Sequence, residues 1–248
     1  MIVAASTDCF PDLSLDEALH RMVDLEYTAV ELALREDGRH LRPSAVHADV
    51  EEAVRTCGRL LRLIPVAITV DMVGTSEQDY ATFASICQLA KTMKVFSITV
   101  PSSELGTPFN AEVERLRELV RIAAAQSLLV SIKTEVDRMS QDPDTVTVLC
   151  DNVKGLGVTL DPSHFVVGPA GRSYDKLLGY VYHVQLRDST ENELLVRIGQ
   201  GDIEYGRLIG QLDRAGYDRA LAVDIQPLED VDHAAEMRKM RLLLESLL

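Results

Sequence analysis

Short apolar, β-branched runs recur along the chain, each separated from the next by enough residues for a helix. They are IVAAS (2–6), AVELAL (29–34), IPVAITV (64–70), VFSITV (95–100), LLVSIKT (128–134), LGVTLD (156–161), VYHVQLR (181–187) and LAVDI (221–225). Near-continuous apolar runs suit parallel strands covered by helices, because both faces of such a strand are buried. The intervening segments carry the helical period instead. SLDEALHRMVDL opens with Ser14 and has Glu17 three residues on, the pattern of a capping box, and its Leu15, Ala18, Met22 and Leu25 fall on one face. SEQDYATFASICQLA places Tyr80, Phe83, Cys87 and Ala90 together. Asn110 is the expected N-cap of the next helix, Pro143 a first-turn residue and Gly216 a C′ residue, and a last helix is expected over 234–248.

Eight βα units predict an α/β protein with one (β/α)8 TIM barrel, a single domain over 1–248. A doubly wound open sheet is the alternative. Against it, no G-x-G-x-x-G follows any run, and the apolar runs continue evenly to the C-terminus.

Charge narrows the partners. A net charge of −14 leaves no cationic footprint for a phosphate backbone, so nucleic acid is not expected. No apolar run approaches the roughly 20 residues needed to cross a bilayer. The start, MIVAASTDCF, lacks the basic and apolar regions of a signal peptide, and a cytoplasmic location is expected. Cys9, Cys57, Cys87 and Cys150 are scattered, without a C-x-x-C pair; the last three read as buried thiols. A homo-oligomer stays open.

In a TIM barrel the chemistry sits at the C-terminal strand ends. The polar residues there are Thr7 and Asp8, Glu31, Asp71, Lys133 and Glu135, Asp161 and His164, His183, Gln185 and Arg187, and Asp224. Strand alternation puts Lys133 and Glu135 on one face of their strand, and likewise His183, Gln185 and Arg187 on one face of theirs. Such charges inside apolar strands are costly unless paired or wetted. Glu31 has a bland reading as the partner of an arginine, and His183 as a barrel-layer histidine. His20, His40, His47 and His233 read as solvated, and Asp188 as the cap of a loop. Arg187 and the turn GQG (199–201) are candidates to receive a phosphate or a carboxylate. Asp161 with His164 is the strongest pair, because Pro162 ends the strand where both would face the mouth.

These residues resemble a family. GLGVTLDPSHF looks like the sixth-strand signature of the xylose-isomerase-like TIM barrels, in the sugar phosphate isomerase/epimerase branch. HVQLRDS with IGQGDIEYGRLIGQLDRAGY is similar to that branch's seventh strand, glycine loop and following helix, and LSLDEALHRMVDLEYTAVEL to its opening βαβ unit. The resemblance implies a divalent metal held by Glu, Asp, His and Glu on strands five to eight. By position, Asp161 matches the Asp, and His164 a substrate-contacting His. The other three places hold Lys133, Gln185 and Asp224, with Glu135 where a His often stands. The metal site therefore reads as degenerate, and no cofactor is expected. The ammonium of Lys133 would supply charge among Glu135, Asp161 and Asp224. A shifted oxygen-rich site of Asp161, Asp224, Glu135 and Gln185, suited to Mn or Mg, is the alternative.

What the resemblance implies is an isomerase or epimerase of a sugar, sugar acid or sugar phosphate, moving a proton next to a carbonyl; dehydration is a variant. Asp224 or Glu135 would be the base and Lys133 the fixed cation. His164 and Arg187 would grip a carbohydrate-like substrate, with Gln185, Glu31 and His183 in the same binding set. A non-catalytic member acting as a binding or partner subunit is the alternative. An apurinic-site endonuclease, found on a related barrel, is disfavoured by the acidic charge.

Overall fold

Each of the eight apolar runs forms a strand, and the strands pair in parallel, in sequence order, into a closed barrel. The computed structural model describes residues 1–58, 62–168 and 170–248. The strands are β1 (Ile2–Ser6), β2 (Ala29–Leu34), β3 (Ile64–Val70), β4 (Ser97–Pro101), β5 (Leu129–Lys133), β6 (Leu156–Leu160), β7 (Val181–Leu186) and β8 (Ala220–Val223). Arg187 and Asp224 therefore lie one residue past their strands, at the mouth.

The helices are α1 (Leu15–Asp24), α2 (Pro43–Ala48), α3 (Val50–Cys57), α4 (Glu77–Thr92), α5 (Phe109–Ala124), α6 (Pro143–Asn152), α7 (Ser163–Val166), α8 (Tyr205–Arg214) and α9 (His233–Glu245). Local chemistry sets most ends. Ser14 and Glu17 close the capping box of α1, Pro143 starts α6, and Gly216 follows α8 at φ 78°. The expected cap at Asn110 is displaced. Pro108, at φ −56°, turns the chain into α5 earlier, so that Asn110 falls in the first turn. Among the described residues no helix is long and apolar enough to cross a membrane.

The main core lies between strands and helices, around Leu19, Phe83, Ile86, Leu116 and Leu149. Inside the barrel the side chains are smaller or polar. Ala4, Ala29, Ala220 and Ala222 cluster toward the strand starts. Thr159 Oγ1 bonds Thr99 Oγ1 at 2.7 Å and Ser131 Oγ at 2.6 Å. Two irregularities interrupt the ladders. Between β2 and β3 the pairing jumps from Val30↔Pro65 to Glu31↔Ala67, and between β6 and β7 from Val158↔Val181 to Thr159↔His183. Val66 and Tyr182 are the extra residues, and a bulge re-aims the side chain that it carries.

Candidate active site

Asp161 is fixed from three directions. Its backbone N–H donates to Thr134 Oγ1 at 2.9 Å, because Thr134 follows the neighbouring strand. Its Oδ1 accepts from Ser163 N at 3.0 Å, since Pro162 has ended β6 and α7 begins there. Its Oδ2 accepts from Arg187 Nε at 3.0 Å. The same guanidinium donates through Nη2 to Asp224 Oδ2 at 2.5 Å, and Lys133 Nζ reaches that oxygen at 3.2 Å. Two carboxylates and two cations thus form one chain across the mouth. All are buried, with exposures of 0% for Asp161, 4% for Asp224, and 8% for both Lys133 and Arg187.

Mutual neutralisation makes this burial tolerable. Burial alone would push the Asp224 carboxyl up, but Lys133, Arg187 and, from further off, Arg35 hold it well below the usual carboxylate range. Burial likewise opposes the charge of Arg187, and Asp161 with Asp224 more than restores it. Asp224 is therefore a firmly held anion and a weak base, contrary to the expectation that it would take a proton.

His164 differs in kind. Burial drives its imidazole down to about 4, against the pull of Asp161, so the ring is neutral at pH 7. Its Nδ1 accepts from Val136 N at 3.1 Å, which leaves the ring proton on Nε2, 3.6 Å from Asp161 Oδ2. His164 thus presents its N–H on the Asp161 side.

Glu135 stands apart from the aspartates. It lies past the end of β5 and faces Arg138 Nε at 3.4 Å, and its Oε2 is buried without a hydrogen bond. The expected grouping of Glu135 with Asp161 and Asp224 does not form. Lys133 and Glu135 are on a common alternation, but the strand has ended at Lys133 and Arg138 draws the glutamate aside.

Glu31 and His183 also differ from a mouth-facing binding set. His183 Nε2 hydrogen-bonds Glu31 Oε2, and Gln185 Nε2 donates to Glu31 Oε1 at 2.7 Å and to Thr69 Oγ1 at 3.1 Å. The glutamate's partners are an imidazole and an amide, not an arginine. His183 precedes Arg187 by four residues on its strand, so the pair sits inside the lumen and its members satisfy each other. The carboxylate also orients Gln185. With the amide N–H turned to Glu31, Gln185 Oε1 is left buried and without a partner.

The GQG turn is committed as well. Asp188 Oδ2 accepts from Gly199 N at 2.7 Å and Gly201 N at 3.1 Å, and a Cβ at Gly201 would run into the Asp188 side chain. The donors that suggested an anion receptor are thus satisfied internally, and Arg187 is occupied by its aspartates. Of the histidines read as solvated, His20 is exposed, whereas His47 bonds Ser85 Oγ at 3.0 Å and His233 the Cys9 carbonyl at 2.7 Å.

Among the ion pairs that the sequence did not announce, those of Arg35 and Arg115 anchor strand ends. Arg35 Nε donates to Asp8 Oδ2 at 2.7 Å, with Asp71 3.6 Å away, linking the first three strand ends. Arg115 pairs with Glu112 inside the fold and donates to the Pro101 carbonyl at 2.8 Å, anchoring the end of β4. Its i,i+3 spacing is the same as that of the exposed Glu118–Arg121 pair, so spacing could not single it out.

Asp161 and Asp224 are bridged by a guanidinium, and the ammonium of Lys133 takes the remaining approach to Asp224 Oδ2. Among the described residues no group of three or more His, Cys, Asp or Glu side chains is placed to hold a metal. Gln185 offers one free carbonyl oxygen, a weak ligand by itself.

The comparisons place the chain in a family. Residues 19–241 match the model of the xylose isomerase-like TIM barrel. A xylose isomerase-like TIM barrel protein from Mycobacterium smegmatis, solved in complex with magnesium, superposes with a TM-score of 0.80 at 14% identity, covering 99% of this chain and 96% of that one. The 3-keto-D-glucoside 4-epimerase YcjR from E. coli, in its apo form, gives 0.76 at 13% identity and 99% coverage of both chains. The probable 3-DHS dehydratase AsbF from Bacillus anthracis gives 0.75 at 13% identity, again covering 99% of both. No curated protein matches the sequence. The chain belongs to the xylose isomerase-like TIM barrel family.

Proposed function

We propose that this family member is an enzyme that moves a proton next to the carbonyl of a sugar or sugar acid, as an isomerase or epimerase, with Lys133 and Arg187 in place of a divalent ion. The observation that carries the reading is the buried pair of cations at the strand ends, held by Asp161 and Asp224. The epimerases and the dehydratase that share the fold support the reaction class.

In this reading the substrate's carbonyl oxygen lies against Lys133 and Arg187. Glu135 is the base: its Oε2 makes no hydrogen bond and holds only the 3.4 Å ion pair with Arg138, from which the entering substrate has to draw it. It takes the proton from the carbon beside the carbonyl. The resulting enediolate charge faces the two cations, which are already oriented and need no reorganisation. If Glu135 returns the proton to the neighbouring carbon while the hydroxyl proton passes to the former carbonyl oxygen, the outcome is isomerisation. If a water molecule protonates the opposite face of the first carbon and the hydroxide so formed is neutralised by the proton on Glu135, the outcome is epimerisation, with His164 Nε2–H as a hydrogen-bond donor that keeps its proton. Gln185 Oε1 accepts from a substrate hydroxyl. Asp161 and Asp224 position the cations and do not transfer protons.

A second reading is favoured by one specific observation: both aspartates are saturated by internal partners, as suits a member that binds a ligand without turning it over. Deuterium exchange separates the two. Ketoses, keto sugars and sugar acids are incubated in D2O and the proton beside the carbonyl is followed by NMR. Catalysed exchange is expected with at least one compound, and Lys133→Met should slow it about 100-fold or more while leaving the circular dichroism intact, the scale for losing one oxyanion stabiliser. Exchange unaffected by the substitution would sink the role of Lys133. Ligand-induced rises in melting temperature without any exchange would establish the binding protein.

A further inference from the structure

The opposite end of the barrel is built differently. TIM barrel interiors are ordinarily filled by layers of bulky branched side chains. Here the inward positions near the starts of β1, β2 and β8 are Ala4, Ala29, Ala220 and Ala222, and a cavity of about 470 Å³, with Ala220 in its wall, opens at the N-terminal face. That volume is in the range of about 300–1,000 Å³ usual for small-molecule pockets.

The cavity is shaped by the same irregularities that interrupt the ladders. Val66 and Tyr182, the extra residues of the two bulges, both line it. The Tyr182 ring lies where any side chain at position 157 would be, so Gly157 is what lets it lie there. His183 forms part of the inner wall and leads to Glu31 in the lumen. Around the rim stand Ile64, 60% exposed, and Phe96, 70% exposed, with Ile2 beside them. Large apolar side chains gathered round one opening are unlike the scattered exposed ones of an ordinary surface.

The rim carries more positive than negative charge. Lys94 and Arg219 oppose a single carboxylate, Asp218, on a protein of net charge −14. Arg219 is held at the rim: its guanidinium stacks 5.5 Å from the Tyr182 ring centre and donates to the Tyr182 carbonyl at 3.2 Å. An apolar hole with a cationic edge calls for an amphipathic anion.

We propose that this N-terminal cavity is a second ligand site, separate from the mouth, for a small acyl or aryl carboxylate. The apolar body enters among Val66, Tyr182 and Ala220, and the carboxylate faces Lys94 and Arg219. A second copy of the chain is a poorer occupant. The walls come from the starts of β1, β3, β4, β5, β7 and β8, so entry is end-on into a ring, and a broad protein surface would cap the hole without filling it. This inference does not rest on the reading of the mouth.

The sequence contains no tryptophan, so Phe96→Trp puts one fluorophore at the rim. Decanoate, added below its micellar concentration, should give a saturable blue shift of that emission. Lys94→Ala with Arg219→Ala, both exposed positions, should weaken the apparent affinity at least tenfold, and decyltrimethylammonium should bind at least tenfold more weakly than decanoate. No saturable shift, equal binding of the cationic amphiphile, or an unchanged affinity in the double variant would each overturn the proposal. Sedimentation closes the remaining route: a protein-concentration-dependent shift without decanoate, together with a doubled mass, would make a second copy the occupant and overturn it too.

Discussion

The two ends of this barrel place opposite demands on the same strands. At the C-terminal mouth, β6 and β8 deliver Asp161 and Asp224 and β5 and β7 deliver Lys133 and Arg187, and the four side chains bury one another. At the N-terminal end β1, β2 and β8 deliver alanines, and a cavity with Ala220 in its wall stays open to solvent beside an exposed Phe96. The contrast shows how a parallel barrel separates its tasks. Charge at one end is tolerable only as a complete set, so it is sensitive to any single loss. Missing bulk at the other end costs packing but leaves no group unsatisfied, so it is forgiving.

The largest expected effect lies at the mouth. Arg187→Met removes the guanidinium between two buried aspartates, leaves Asp161 without a cation and Asp224 with Lys133 alone, and should cost about 3–5 kcal/mol in urea unfolding. A loss under about 1 kcal/mol would show that the cluster is not the coupled unit described here, and the contrast between the ends would fail.

Next comes acid. The imidazole of His164 titrates at about 4 in the folded protein, below its ordinary value of about 6.5, because burial disfavours the charged form. As pH falls from about 6.5 toward about 4, the unfolded chain takes up this proton first, so the contribution is present above that window and is lost on descending through it. The full loss is on the order of 3 kcal/mol. Stability curves for the protein and for His164→Asn should therefore diverge in slope between those pH values. Parallel curves would mean that the ring is not shielded from water.

The smallest effect is expected at the other end, with the opposite sign. Ala220→Val adds apolar volume to the open cavity and should stabilise by about 0.5–1 kcal/mol. Destabilisation of 1 kcal/mol or more would indicate that the alanine ring is already close-packed.

Much of the fold was legible because it depends on local periodicity. The eight strands, the Ser14–Glu17 capping box, Pro143 and Gly216 follow from residues close in sequence and from rules of backbone geometry. Asp161 at the end of its strand, with His164 in the turn after Pro162, was legible for the same reason. At Glu31 the sequence could only leave a choice between an arginine partner and a substrate; the structure gives it His183 and Gln185.

What the sequence determined by itself is therefore the order of the strands, the alternation along each, and which polar side chains stand near a mouth. The tertiary structure alone decided which of them meet. Arg187 lies 26 residues from Asp161 and 37 from Asp224, and Glu31 lies 152 from His183. Glu135 had an equally good pattern and was drawn to Arg138 instead. The two bulges that turn Val66 and Tyr182 into cavity walls leave no mark in the apolar runs. Alternation constrains each strand separately, whereas contacts across the lumen depend on how eight tilted strands stagger as they close, and a single inserted residue shifts the facing of those beyond it.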